Sequence, residues 1–379
     1  MVADQVVLDA RWWGKGGTGT FTAALLEGLA ECQPANWAIW GPSQMADRVW
    51  PGASFVATED DPASAFGQRS LGRVPAAGLV FHPHQTRPFH RYPAASCVLD
   101  LIQLEHRSQL VRPAMAARLD RTVAAAAALF TISQQVRSQL VERYGSVGQD
   151  VTVLHLPVDR RFADRVATAR SRTAERSRRL LMVGRFAPHK NHAGLVDAFG
   201  RSRFAAEGGE LHLVGGTARE LQSLGVADTP GVVVRGVLTD EELEAEFATA
   251  LALVQPSLSE GHGLPVSEAL FAGLPVLSSP VPAAVEHGPA SIPLLDPTDC
   301  LQMAAALDAV VDQIDGGRYW EQVDREAWLQ RQATPATLAA QILTVLDRKG
   351  LPSPHGGAGH TRRGRLQVDR GISRRDSSH

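Results

Sequence analysis

Short apolar runs alternate with stretches of helical spacing along most of the chain, the pattern of stacked βα units that build parallel sheets. VVLDA (6–10), WAIW (37–40), GLVFH (78–82), SCVLDL (96–101), LFTIS (129–133) and VTVLHL (151–156) predict strands of a first domain over 1–160, with a helix over 20–31 after the glycine-rich GKGGTGT. The polar, arginine-rich DRRFADRVATARSRTAERSRR (159–179) breaks the pattern, so residues 161–179 are expected to be a hinge. LLMVG (180–184), ELHLVG (210–215), VVVRG (232–236), LALVQP (251–256) and PVLSS (275–279) then restart it in a second domain over 180–317. Residues 318–348 have apolar positions at helical spacing, with Pro335 as a helix boundary. From 349 to 379 apolar residues are too few to fold alone, and a disordered basic tail is expected. Two successive doubly wound α/β domains are the economical architecture.

With 379 residues, 44% of them hydrophobic, the chain can build two ordinary cores. A formal net charge of −2 removes the electrostatic case for nucleic acid as the main partner. Cys32, Cys97 and Cys300 lie far apart, with neither metal nor disulfide spacing, which fits a reducing compartment. The start MVADQVVLDARWW lacks a basic segment followed by an apolar one, and no run reaches the roughly eighteen apolar residues of a membrane span. A cytoplasmic protein is expected, with at most a peripheral contact to the inner face of a membrane through Arg112, Arg118 and Arg121.

Chemistry concentrates in LSEGHGLPVSEALFAGLP (258–275), where Glu260 and Glu268 bracket a Gly-x-Gly-x-Pro turn. Pro265 suits the first helical position and Gly273 with Pro275 the end, so the spacing predicts a helix over about 265–272. Its free N–H groups and positive dipole end would face the loop 260–264, including Gly261, Gly263 and Leu264, as a site for an anion such as a diphosphate. Glu260 before the helix and Glu268 one turn inside it would then reach hydroxyls on either side of a bound phosphate, as in a nucleotide-sugar. The plainer alternative is an ordinary strand-to-helix turn with a carboxylate complementing the dipole.

VGRFAPHKN (183–191) places Arg185 and Lys190 in a loop directly after a strand, where open α/β sheets bind ligands. Only Lys15, Lys190 and Lys349 are lysine; thirty-five of the thirty-eight basic residues are arginine. A lysine at this loop suits a compact charge on a phosphate, or else a solvated surface. Gly14, Gly16 and Gly19 formally satisfy the dinucleotide pattern, yet WAIWGPSQ lacks the acidic residue that pattern needs at the end of the second strand. These glycines are expected to form a flexible loop at a helix start, able to approach a phosphate or acceptor.

SEGHGLPVSEAL and VGRFAPHKNHAGLVDAF, followed by PVLSSPVPAAVEHGPASIPLLDPTD (275–299) and LFTISQQVRSQLVERYG (129–145), together resemble the retaining glycosyltransferases of family 4, which have the two-domain GT-B architecture. The resemblance runs in order over about residues 6–347. It implies two Rossmann-like domains facing a cleft, with the C-terminal helices crossing back to the first. It also implies that Arg185 and Lys190 bind the donor diphosphate, Glu260 contacts sugar hydroxyls, Gly263 and Leu264 present N–H groups, and Glu268 holds the ribose. DARWWGKGGTGTF (9–21) is similar to a mannosyl-transferring subgroup, which makes Gly17 and Gly19 phosphate-side residues and favours GDP-mannose over UDP- or dTDP-hexoses. Thr20 replaces that subgroup's arginine, Leu99 stands where many members have histidine, and LHLPVD lacks the usual Asn-Gly.

The expected reaction is hexose transfer with retention, through an oxocarbenium-like transition state, to a hydroxyl of a glycan, lipid-linked or small-molecule acceptor. No metal and no cofactor beyond the sugar nucleotide are expected: the loops hold no Asp-x-Asp, and His82 and His84 read as strand-end residues facing the acceptor cleft. Asp100 is the candidate for acceptor positioning or proton acceptance, with a capping carboxylate as the alternative. A sugar-nucleotide epimerase of similar architecture and an inactive sugar-nucleotide-binding paralogue are the competing functions.

Overall fold

The computed structural model describes residues 4–62, 75–86, 90–105, 111–172, 177–223 and 229–352. The expected basic tail falls outside these residues from 353 onward.

Two parallel sheets are present. The first comprises β1 (Val6–Asp9), β2 (Trp37–Gly41), β3 (Ser54–Ala57), β4 (Leu79–His82), β5 (Ala94–Val98), β6 (Ala126–Thr131) and β7 (Thr152–Val153), in the order β3-β2-β1-β4-β5-β6-β7. The second comprises β8 (Arg179–Val183), β9 (Glu210–Val214), β10 (Val232–Gly236), β11 (Ala252–Gln255) and β12 (Val276–Ser278), in the order β10-β9-β8-β11-β12. In each sheet the order reverses beside the first strand, and this is where doubly wound sheets open a crevice at their carboxyl ends. The fully buried runs Val6–Asp9, Trp37–Gly41 and Leu79–His82 explain why the strands read as continuous apolar stretches: both faces are covered.

Three local expectations change. Edge strand β3 has no clear sequence signal because SFVA is only half covered. The helix expected over 20–31 spans Gly16–Cys32, so Gly17 and Gly19 lie in its first turn and not in a flexible loop. Gly14 and Gly16 take positive φ (74° and 56°), and the Gly19 N–H donates to the Lys15 carbonyl at 3.1 Å, closing the helix start early. The expected hinge is, over Arg160–Arg172, a helix whose Phe162 and Val166 enter the second domain's core. Its arginines lie on the outer face, apart from buried Arg170, which donates to the carbonyls of Phe247, Ala248 and Ala250.

The chain returns to the first domain at its end. Helix Pro335–Arg348 buries Leu338, Ile342 and Leu346 in the same core as Phe21, Leu25 and Leu29 of helix Gly16–Cys32. Gly28 permits the contact, since a Cβ there would overlap the Pro335 carbonyl.

Candidate active site

The site forms where the carboxyl ends of the two sheets face each other. Helix Leu264–Phe271 follows β11 and is entered through Gly263, whose φ of 102° turns the chain, with Pro265 in the first turn. A Cβ on Gly17 would lie 3.8 Å from Leu264 Cδ1, so the first turns of helices Gly16–Cys32 and Leu264–Phe271 approach each other across the cleft. Both turns carry backbone N–H groups without intrahelical partners and a positive dipole end, a pair of anion-favouring ends on opposite walls. At Gly261 the two domains touch backbone to backbone: a Cβ would overlap the Leu99 carbonyl oxygen and lie 3.1 Å from Asp100 Cβ.

Lys190 and Glu260, far apart in sequence, are brought together. Lys190 Nζ donates to Glu260 Oε1 at 2.5 Å, and the same carboxylate accepts from Ser257 Oγ at 2.7 Å and Gln255 Nε2 at 3.2 Å. Glu260 is 8% exposed. Its orientation is therefore held by Ser257 and Gln255, neither of which stood out in the sequence. The clue available there was their position, Gln255 ending β11 and Ser257 lying between it and Glu260. Arg185, from the same loop as Lys190, is exposed and forms no ion pair among the described residues.

Glu268 sits one turn inside the helix with no hydrogen-bond donor on its carboxylate among the described residues. Burial, then the neighbouring Asp159 charge, pushes its carboxyl up to about 7. Hydroxyl donors supplied by a ligand would favour the ionised form. His262, within the loop, is buried with its Nε2 3.1 Å from Ser267 Oγ and its ring stacked on His287. Burial and the His287 charge pull it down to about 3, so it is a neutral structural ring.

On the first-domain wall, Asp100 lies two residues beyond β5 and caps Ile102 N–H at 3.2 Å. Burial pushes its carboxyl up to about 6; the Ile102 N–H opposes this, the Glu260 charge adds to it and Lys190 offsets part. A cavity beside it is lined by Gln85, Leu101, Leu104, Met115 and Arg118. His82 and His84 are not displayed towards this cavity as a pair. His82 is held by Asp9 (3.1 Å) and His90 (2.8 Å), Asp9 also accepts from Arg11, and His84 lies against Trp12. Among the described residues, no group of three His, Cys, Asp or Glu side chains is arranged to hold a metal, and no helix is long and apolar enough to cross a membrane.

The two facing doubly wound domains, the returning C-terminal helix and the interdomain cleft are those of the GT-B glycosyltransferase fold. Solved structures share it: sucrose-phosphate synthase from Thermosynechococcus elongatus (17% identity, TM-score 0.67, covering 91% of this chain and 98% of that one). Two more are Anabaena HepE in complex with UDP and glucose (15%, 0.65, 91% and 99%) and WaaG, a glycosyltransferase involved in lipopolysaccharide biosynthesis (15%, 0.61, 89% and 98%). More particularly, residues 177–313, most of the second domain, match the family described as Glycosyl transferases group 1. An MMP alpha-(1->4)-mannosyltransferase from Mycolicibacterium hassiacum is similar at 29% identity over 194 residues, 48% of this chain and 45% of that protein. The chain thus aligns with less than half the length of this curated relative.

Proposed function

We propose that this protein is a retaining glycosyltransferase that moves a hexose from a nucleoside-diphosphate sugar to an acceptor hydroxyl, with GDP-mannose the favoured donor and UDP- or dTDP-hexoses next. The observation that carries the reading is the Lys190–Glu260 pair beside the N-terminus of helix Leu264–Phe271, directly opposite the first turn of helix Gly16–Cys32. A diphosphate between these helix ends would meet N–H groups from both walls, with Lys190 and Arg185 at its flank. As the glycosidic bond breaks, negative charge builds on the leaving diphosphate. Fixed cations and dipoles stabilise that charge without reorganising, which is the larger part of many catalytic effects. Donor binding recruits Lys190 to the phosphate and leaves Glu260, still oriented by Ser257, to accept from sugar hydroxyls. Glu268, without a protein donor among the described residues, accepts from the ribose.

The acceptor enters through the cavity beside Asp100, whose carboxylate positions it by accepting from an acceptor hydroxyl other than the attacking one. The proton of the attacking hydroxyl leaves on a donor phosphate oxygen on the same face as the departing diphosphate, giving retention without a protein nucleophile. The acceptor class is a glycan, a lipid-linked precursor or a small molecule. The mannosyltransferase relative supports a mannosyl donor, whereas the HepE complex named for UDP and glucose supports the runner-up. Thermal unfolding with GDP, UDP, dTDP, ADP and NAD, each with and without magnesium, tests this. A ligand at about a hundred times its Kd adds about 2.7 kcal/mol and raises the midpoint by several degrees. Stabilisation by one nucleoside diphosphate, followed by hydrolysis of its sugar conjugate, is the expected result; stabilisation by NAD alone, or by nothing, overturns it.

A further inference from the structure

The helix that would receive the donor phosphates is short, and its far end is bonded by a side chain from outside the matched domain. Leu270 and Phe271 lie in its last turn; the Leu270 carbonyl accepts from the Gly273 N–H at 3.2 Å and has room for a second donor. Arg325 Nε donates to the Leu270 carbonyl at 2.6 Å, and Arg325 Nη2 donates to the Phe271 carbonyl. Gly273, at φ 72°, turns the chain directly beside the guanidinium, its Cβ position lying in ordinary contact at 3.8 Å from Arg325 Cζ. Arg325 is half-buried and meets no carboxylate among the described residues, so its positive charge is matched by the negative end of the helix dipole.

Its neighbours fix where this arginine sits. Asp324 caps the short helix Arg325–Leu329, and in that helix buried Trp328 donates to the His287 carbonyl and packs edge-on against Phe271. The chain then runs into helix Pro335–Arg348 on helix Gly16–Cys32. Helices Gly16–Cys32 and Leu264–Phe271, which face each other at their N-termini, are therefore both held away from the cleft by one continuous segment.

We infer that Arg325 is a positioning residue for the donor site: by clamping the last carbonyls of helix Leu264–Phe271 it holds the helix axis, so that the first-turn N–H groups stay aimed at the donor diphosphate. This rests on the donor reading above. The planar guanidinium holds two N–H groups in fixed geometry towards two successive carbonyls, whereas an ammonium's donors radiate from one nitrogen on a flexible stem and are less pre-organised for the pair.

The test measures GDP and UDP binding by calorimetry, and donor and acceptor KM, on the full chain and on Arg325→Met and Arg325→Lys. Arg325→Met keeps the stem packing and loses charge and fork; it should weaken the bound diphosphate and raise donor KM about tenfold, with acceptor KM within about twofold. Arg325→Lys should fall between, at about threefold, and remains informative if Arg325→Met does not fold. Wild-type diphosphate affinity in the folded variants, with only a lowered Tm, would overturn the inference. If the wild-type protein binds neither GDP nor UDP, it is the donor reading that fails.

Discussion

Replacing Lys190 by methionine removes the ammonium while keeping most of the stem, and the structure sets two separate magnitudes for the loss. In the free protein the ammonium is bonded to a carboxylate whose side chain is 8% exposed, its own side chain being 14% exposed. Removing one partner of a mostly buried pair costs about 3–5 kcal/mol because the other charge is left uncompensated. Ser257 and Gln255 still donate to Glu260, so the lower end, about 3 kcal/mol, is expected. At about 2–4 °C per kcal/mol for a domain of this size, Tm should fall by roughly 6–12 °C. Turnover carries a second loss, since one preorganised donor at a developing anion is worth about 10²–10³ in kcat. The two effects separate in a double-mutant cycle. Glu260→Gln on top of Lys190→Met removes the stranded charge and should recover about 1–2 kcal/mol relative to the sum of the single changes. It should recover none of the turnover. The assay is thermal unfolding of the four proteins beside release of nucleoside diphosphate from the sugar nucleotide that stabilises the wild type. Turnover by Lys190→Met within twofold of wild type would refute the phosphate role, and stability changes that simply add would refute the pairing.

Two further outcomes follow from the geometry. Glu268, pushed up to about 7 from an ordinary 4.5, keeps its proton at pH values where the unfolded chain has lost it, so its contribution to stability falls as pH rises from about 4.5 to about 7 and is constant above. Because ribose hydroxyls favour the carboxylate, nucleotide affinity should rise with pH through about 7, approaching about tenfold per unit below that point; calorimetry from pH 5.5 to 8 checks this, and Glu268→Gln should flatten the profile. At Gly261 an added methyl meets the Leu99 carbonyl, backbone against backbone, so Gly261→Ala should hold the cleft open and cut turnover about a hundredfold while nucleotide affinity changes only a few-fold. Small-angle scattering should show a larger radius of gyration, and an unchanged radius with normal turnover would contradict the closed contact.

Much of the site was legible because its signals are local. Pro265 at the helix start, Gly263 before it and Gly273 after it each obey a conformational rule acting over one or two residues, and the helix they predict over 265–272 differs from Leu264–Phe271 by one residue at each end. The doubly wound strands were legible for the same reason: a strand covered on both faces is an unbroken apolar run whatever its neighbours. The expectations that changed were those in which a local pattern served a distant contact. The arginine run over Arg160–Arg172 looked like a solvated hinge because its apolar positions are few, but Phe162 and Val166 suffice once the second domain supplies the surface they bury against.

The sequence by itself determined two parallel-sheet domains and the helix start after Gly263. Tertiary structure alone decided that Lys190 is bonded to Glu260 in the free protein, that Gly17 lies opposite Leu264, that Gly261 seats against Leu99, and that Arg325 reaches the far end of helix Leu264–Phe271. The reason is physical. Periodicity and turn chemistry report interactions within a few residues of chain, whereas these pairings arise only when two cores, each assembled from distant segments, close on one another and fix which side chains share the space between them.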